Sequence, residues 1–123
     1  MNAPPVPPRA TTRHRGAVAE HRALDHLQQA GLCLIAANVA YKVGEIDLVM
    51  RDGNIWVFIE VRSRRSSAFG GAAASVDARK QLRIRRAAQC MLVERFGQRS
   101  WPVCRFDVVA IENGRLEWIK NAF

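Results

Sequence analysis

Apolar and polar positions along this chain repeat with two different periods, and each change of period marks an element. Over residues 16–30, Ala17, Ala23, Leu24 and Leu27 fall on a three-to-four-residue repeat, which predicts a helix closed by Gly31. Glu20 falls on that stripe, three residues after Ala17 and four before Leu24, so its carboxylate is expected to be partly buried or to face a partner. Residues 32–41 read as a first strand. The clearest pattern follows: residues 45–51, a turn at Asp52-Gly53-Asn54, and residues 55–63 alternate as the arms of a β-hairpin. Ile46, Leu48 and Met50 share one face, as do Val57, Ile59 and Val61, and these faces are expected to be the core side. Residues 63–75, rich in Arg, Ser, Gly and Ala, are expected to form a mobile basic loop. Ser75 is placed to cap a helix over 76–96, closed by Gly97. Residues 103–111 and 115–120 make a last hairpin around Glu112-Asn113-Gly114. The order α-β-β-β-α-β-β predicts an α/β domain of two or three layers around a mixed sheet.

The other face of the central hairpin carries the chemistry. It presents Glu45, Asp47 and Val49 on one arm and Trp56, Phe58, Glu60 and Arg62 on the other. With Gly53-Asn54 as a two-residue turn, Asp52 pairs with Ile55 and Asp47 lies opposite Glu60, with Cβ atoms about 4.5–5.5 Å apart. A three-residue turn would send them to opposite faces. Two carboxylates that close repel unless a proton or a cation lies between them. A hard cation such as Mg²⁺ or Mn²⁺ suits the pair, because it needs few protein carboxylates and fills its shell with water and phosphate oxygens. Arg62 points to the same side, where it can stabilise phosphate charge. The alternative is a solvated face bearing a Glu60–Arg62 ion pair. Glu20 is expected to pack over this same face. Lys80 aligns with Ile84, Ala87 and Met91 on the buried stripe of the second helix, not with Arg83 and Arg86. Both charges are thus aimed inward, where ionised groups are rarely left unpaired.

Charge narrows the partner. Nineteen Lys and Arg against eleven Asp and Glu leave a net charge of +8 on 123 residues, which points to a polyanion, most often nucleic acid. A merely solvated basic surface is the alternative, and charge does not separate DNA from RNA. Arg62, Arg64 and Arg65 lie beside the proposed site, and Arg79, Arg83, Arg85 and Arg86 form a second strip suited to phosphate contacts. Residues 1–14, with four prolines between Met1 and Pro8, are expected to be a disordered arm ahead of a single domain over 15–123. No stretch approaches the ~20 apolar residues of a membrane span, so no membrane partner is expected. Cys33, Cys90 and Cys104 are odd in number and form no C-x-x-C pair, which fits buried thiols in a reducing cytoplasm. His21 and His26 are five apart, wrong for a helical metal pair. Trp56, Trp101 and Trp118 read as packing residues, and Asp107 as tied to a nearby arginine.

Glu20, then G-E-I-D-L-V at 44–49, then V-F-I-E-V-R-S-R at 57–64, is similar to the E…D…E-x-K pattern of the PD-(D/E)XK nuclease superfamily. More narrowly, the chain resembles the YraN-type family of predicted endonucleases, relatives in fold of archaeal Holliday-junction resolvases. F-G at 69–70, Lys80, R-F-D at 105–107 and N-A-F at 121–123 belong to the same likeness, which spans about residue 15 to the end. The resemblance implies a restriction-endonuclease-like αβββαβ core, a mixed sheet flanked by helices, with a Mg²⁺-dependent phosphodiesterase site. It implies Asp47 and Glu60 as metal ligands and Glu20 as the helix carboxylate completing the site. At position 62 the superfamily has lysine, and this chain has arginine. Arginine stays protonated and cannot act as a general base, though it can hold a phosphate. Lys80 is the other candidate for the ammonium. Three functions are therefore open: a structure-selective DNA endonuclease acting on branched or duplex DNA, a noncatalytic nucleic-acid binder keeping the nuclease fold, and a small RNA-binding or ribosome-associated protein. Symmetric cutting of two strands would call for a homodimer.

Overall fold

The computed structural model describes residues 12–65 and 71–123; side chains are described from Gly16 onward. Most of the expected arm, and the F-G pair at 69–70, lie outside the described residues. The elements are α1 (Thr12–Gln29), β1 (Cys33–Tyr41), β2 (Gly44–Asp52), β3 (Ile55–Arg64), α2 (Gly71–Ala74), α3 (Ala78–Phe96), β4 (Cys104–Glu112) and β5 (Arg115–Ile119). The strands form one mixed sheet in the order β1-β2-β3-β4-β5. Only β3 and β4 run parallel, as the crossover through α2 and α3 requires. The class is α/β, consistent with a restriction-endonuclease-like core.

Helices cover both faces of the sheet. On one, Ala19, Ala23 and Leu27 of α1 pack against Leu48, Met50, Val57, Ile59, Val109 and Ile111. On the other, Ile84, Ala87, Ala88, Met91 and Leu92 of α3 pack against Ile46, Val49, Trp56, Phe58, Val108 and Ala110. The expectation of a single core face was therefore wrong. Central strands with apolar residues on both sides are buried on both, which alternation in one hairpin does not reveal. Ile46 also changes sides, joining the α3 core while Leu48 and Met50 join the α1 core. Along α1, Ala23 and Leu27 are buried and Leu24 partly so as expected, but Ala17 is exposed and Ala19 takes its place on the stripe.

The helix caps differ from expectation in an instructive way. Helix α1 begins at Thr12 rather than Gly16. Helix α3 begins after Asp77, whose Oδ1 accepts the N–H of Lys80 at 2.9 Å. Ser75 instead donates its hydroxyl to the carbonyl of Ala72 at 2.6 Å, closing the short α2. Both residues can cap, but Asp77 has the extended backbone an N-cap needs. Asp107 is fully buried and accepts from Arg105 Nε, Trp118 Nε1 and Asn121 N, so its tie to an arginine holds. Phe58, Phe106 and Phe123 stack at 5.4 and 5.2 Å, with the Arg85 guanidinium 5.1 Å from the Phe106 ring centre. The cysteines are not fully buried: Cys33 is exposed because β1 is an edge strand, and Cys90 in α3 and Cys104 in β4 are intermediate. Trp101 is exposed as well. None of the described helices is long and apolar enough to cross a membrane.

Candidate active site

The site begins with a turn. Gly53 takes a positive φ of 62°, as the first central residue of a two-residue II′-type turn does, and Asp52 pairs with Ile55 as expected. The rungs then run regularly to Leu48↔Ile59. Beyond that point the strands part. The N–H of Val61, which the next hydrogen-bonded rung would use, goes instead to Asp47 Oδ2 at 2.8 Å. The change of side between Ile46 and Leu48 occurs here too. Asp47 therefore sits in the opening where β2 and β3 part, and its charge acts both on Glu20 of α1 and on Glu60 of β3.

Glu60 sits on the α3 side of that opening and is only 3% exposed. Two cations address the same oxygen: Lys80 Nζ lies 3.6 Å from Glu60 Oε2 and Arg62 Nε lies 3.1 Å from it. Arg62 Nε has no well-aligned hydrogen-bond acceptor among the described residues, so its contact with Glu60 is one of charge rather than a directed bond. Even with both cations present, burial and the negative charge of Asp47 push the Glu60 carboxyl up from 4.5 to about 8. Lys80 reaches this position because α3 approaches β2 closely at Gly44. A β-carbon there would stand 2.3 Å from the carbonyl oxygen of Arg83. Sequence reasoning missed Gly44 as a positioning residue, although it heads the G-E-I-D stretch.

Glu20 comes from the opposite face. Helix α1 covers the side of Val57 and Ile59, whereas α3 covers the side of Phe58, so Glu20 and Lys80 do not share a face as expected. They converge because the sheet opens at Asp47. Burial, then the charges of Asp47 and Glu45, raise the Glu20 carboxyl from 4.5 to about 7. Its buried Oε1 finds no hydrogen-bond partner among the described residues. Beside it lies a cleft of about 390 Å³ lined by Glu20, Asp47, Val61, Arg62, Ser63 and Arg64. A larger cleft of about 600 Å³ lies at the β4–β5 hairpin, but its Glu112 is engaged by the N–H of Ala72.

Among the described residues no three His, Cys, Asp or Glu side chains form a ready-made metal cluster. The donors on hand are hard carboxylate oxygens: Asp47 and Glu60 at the opening, and Glu20 with an orphaned oxygen. Two carboxyls that take up protons too readily and one buried oxygen without a partner describe an excess of negative charge. A small hard cation relieves such an excess, and one that keeps most of its shell for water and phosphate needs no more protein ligands than these.

The arginines divide into groups. Arg64 and Arg65 are exposed at the end of β3, and Arg64 lines the cleft. Arg79, Arg83 and Arg86 are exposed on the outer side of α3. Arg85 is held against the phenylalanine stack and belongs to neither group. His21 and His26 are exposed, and His21 Nε2 stands 3.7 Å from Asp25.

Comparison with known proteins places these residues in a family context. A family model described as "Uncharacterised protein family UPF0102" matches residues 19–111, a span containing Glu20, Asp47, Glu60, Arg62 and Lys80. UPF0102 proteins of Yersinia pseudotuberculosis serotype O:3 (strain YPIII) and Yersinia pestis bv. Antiqua (strain Antiqua) are each 55% identical over 111 residues, covering 90% of this chain and 95% of theirs.

Proposed function

We infer that this chain, which belongs to the uncharacterised protein family UPF0102, is a Mg²⁺- or Mn²⁺-dependent, structure-selective DNA endonuclease. The observation that carries this is the opening at Asp47, where three carboxylates and two cations from four separate elements meet beside an arginine-lined cleft. The resemblance to PD-(D/E)XK nucleases supports the same assignment. Asp47 and Glu60 would hold the ion, and Glu20 has a free oxygen to complete the set. The ion, when bound, would acidify a coordinated water and polarise a phosphoryl oxygen.

The chain's own side chains divide the remaining work. Glu60 ionises once its negative charge is compensated, because burial and Asp47 are what hold it protonated. Arg62 keeps its proton and serves as an electrostatic clamp for a phosphate, not as a base. Lys80, an ammonium at 3.6 Å from the same carboxylate, is the group able to orient a nucleophile by hydrogen bonding. Arg64 and Arg65, with the outer arginines of α3, bind the backbone without reading sequence. The surplus of +8 suits a polyanionic substrate.

The test is incubation with branched, single-stranded and duplex DNA in Mg²⁺ or Mn²⁺, and again in chelator. Cutting that needs metal and disappears in Asp47→Asn and Glu60→Gln supports the assignment; cutting that survives both changes refutes the site. A second function, noncatalytic DNA binding on a retained nuclease fold, is favoured by one observation alone, the arginine at position 62. It predicts metal-independent binding and no cleavage of any of the three substrates.

A further inference from the structure

Trp101 lies in the segment joining α3 to β4, which meets β3 at Trp56, near the hairpin turn rather than the Glu60 end of that strand. It is 39% exposed, and its neighbour Val103 is 70% exposed. A large aromatic left in water is unusual when the other two tryptophans are covered, Trp56 in the core and Trp118 half-buried. The ring is also held in place: its Nε1 donates to the carbonyl of Gly97 at 3.0 Å. With the indole N–H already used, the π face is what the side chain has left to offer. Basic groups lie on the elements that meet this segment, which is tied to β3 by the Trp56 N–H donating to the Val103 carbonyl at 2.9 Å. Arg99 is exposed and its N–H is fixed to the Phe96 carbonyl at 3.0 Å. Arg95 lies over the Trp56 ring at 5.6 Å, with its residue exposed, and Arg51 is exposed on the rung opposite Trp56. Acids of the same region are engaged elsewhere, Glu94 by the Tyr41 hydroxyl and Asp52 by Arg105.

We propose that Trp101 is a stacking platform for an unpaired base, with Arg99, Arg95 and Arg51 holding the adjoining phosphates, so that this end of α3 binds single-stranded nucleic acid. Pre-ordered aromatic rings inside a basic surface are how single strands are gripped without sequence reading. A paired base keeps its faces against its neighbours and has none to offer, so the platform discriminates single strand from duplex. The exposed Arg79, Arg83 and Arg86 lie along the same helix, and its rise carries the chain about 25 Å from Lys80 to Gly97. A junction or flap has both a duplex arm and an unpaired stretch, so the platform names the substrate class for the site proposed above. The inference rests on that nucleic-acid assignment, though not on cleavage.

The experiment is equilibrium binding in chelator, by fluorescence anisotropy, of the full chain to a labelled thymidine strand of about 12 nucleotides, within the usual span of single-strand sites, and to a blunt duplex of the same length. Trp101→Ala should weaken single-strand binding about tenfold, while Trp101→Phe, which keeps a stacking face, should stay within about threefold of wild type. Duplex affinity should be unchanged in both. Arg99→Ala should lower the salt slope for the single strand by about 0.7. Equal single-strand affinity in wild type and Trp101→Ala overturns the proposal, as does an equal loss on duplex or an equal loss in Trp101→Phe. Sedimentation without DNA closes the other route: a wild-type dimer that Trp101→Ala dissociates would make the patch a contact between copies and overturn it too. Absence of cleavage on every substrate refutes the nuclease assignment and leaves this binding result standing.

Discussion

Replacing Glu60 with Gln should stabilise the metal-free protein at alkaline pH and leave it unchanged at acid pH. The reason lies in the groups around the carboxyl. Burial and Asp47 oppose its ionisation, Lys80 and Arg62 favour it, and the balance raises it from 4.5 to about 8. A carboxyl raised on folding stabilises the native state fully below its unfolded value and loses that contribution as pH rises through its folded value. The loss therefore falls between about pH 4.5 and pH 8. At about 1.4 kcal/mol per pKa unit the ceiling is about 5 kcal/mol. Relaxation of the long Lys80 and Arg62 chains around the carboxylate reduces the expected effect to about 2 kcal/mol. Glutamine matches protonated glutamate in size and keeps a donor, so the variant should lose less stability than wild type over this range, its remaining fall being that of Glu20, raised from 4.5 to about 7. Urea unfolding of both proteins at pH 5 and pH 9 measures the difference directly. A second arm adds Mn²⁺ at pH 8: wild type should gain about 2.7 kcal/mol at a concentration 100 times Kd, and the variant much less. If wild-type stability does not fall between pH 5 and pH 9, or if Glu60→Gln is the less stable protein at pH 9, the two cations hold the carboxylate comfortably. The repulsion on which the metal site is argued would then not exist.

Gly44→Ala should cost about 2 kcal/mol or more by thermal unfolding, because the new methyl meets the Arg83 carbonyl oxygen at 2.3 Å and α3 must move; an unchanged melting temperature would refute the close approach. Lys80→Ala should lower metal-dependent cleavage about 100-fold, and Arg62→Lys should change it little, since an ammonium already stands at the carboxylate. A several-fold gain in Arg62→Lys would instead assign the orienting role to position 62. Log affinity for duplex DNA should fall with log salt at a slope of at least about 3, reduced by about 1.8 when Arg83 and Arg86 are both replaced by Ala, with the fold intact by circular dichroism. A flat salt response would remove nucleic acid as the partner.

Much of this protein was legible in local residue order. Period-two alternation and the Gly53-Asn54 turn are properties of near neighbours, and together they put Asp52 against Ile55 and set the register as far as Leu48↔Ile59, one rung short of the expected Asp47–Glu60 pair. The phase of Lys80 on its helix is equally local, and it does point inward to Glu60. The Asn113-Gly114 turn closes the last hairpin for the same reason. Other features depended on segments far apart in the chain meeting. The central hairpin is apolar on both sides, with Val49, Trp56 and Phe58 as suitable for burial as Leu48, Met50 and Ile59, so alternation could not say which helix covers which face. That choice put Glu20 and Lys80 on opposite sides. Nor does any run of residues announce that β2 and β3 part after Leu48↔Ile59, which lets Asp47 take the Val61 N–H and act on both Glu20 and Glu60. The exposure of Cys33 follows from β1 lying at the sheet edge, and that of Trp101 from where α3 ends against β4. Period and turn chemistry are written into neighbouring residues. Burial, the raised carboxyls and the opening at Asp47 exist only once the two helices have closed on the sheet and removed the water.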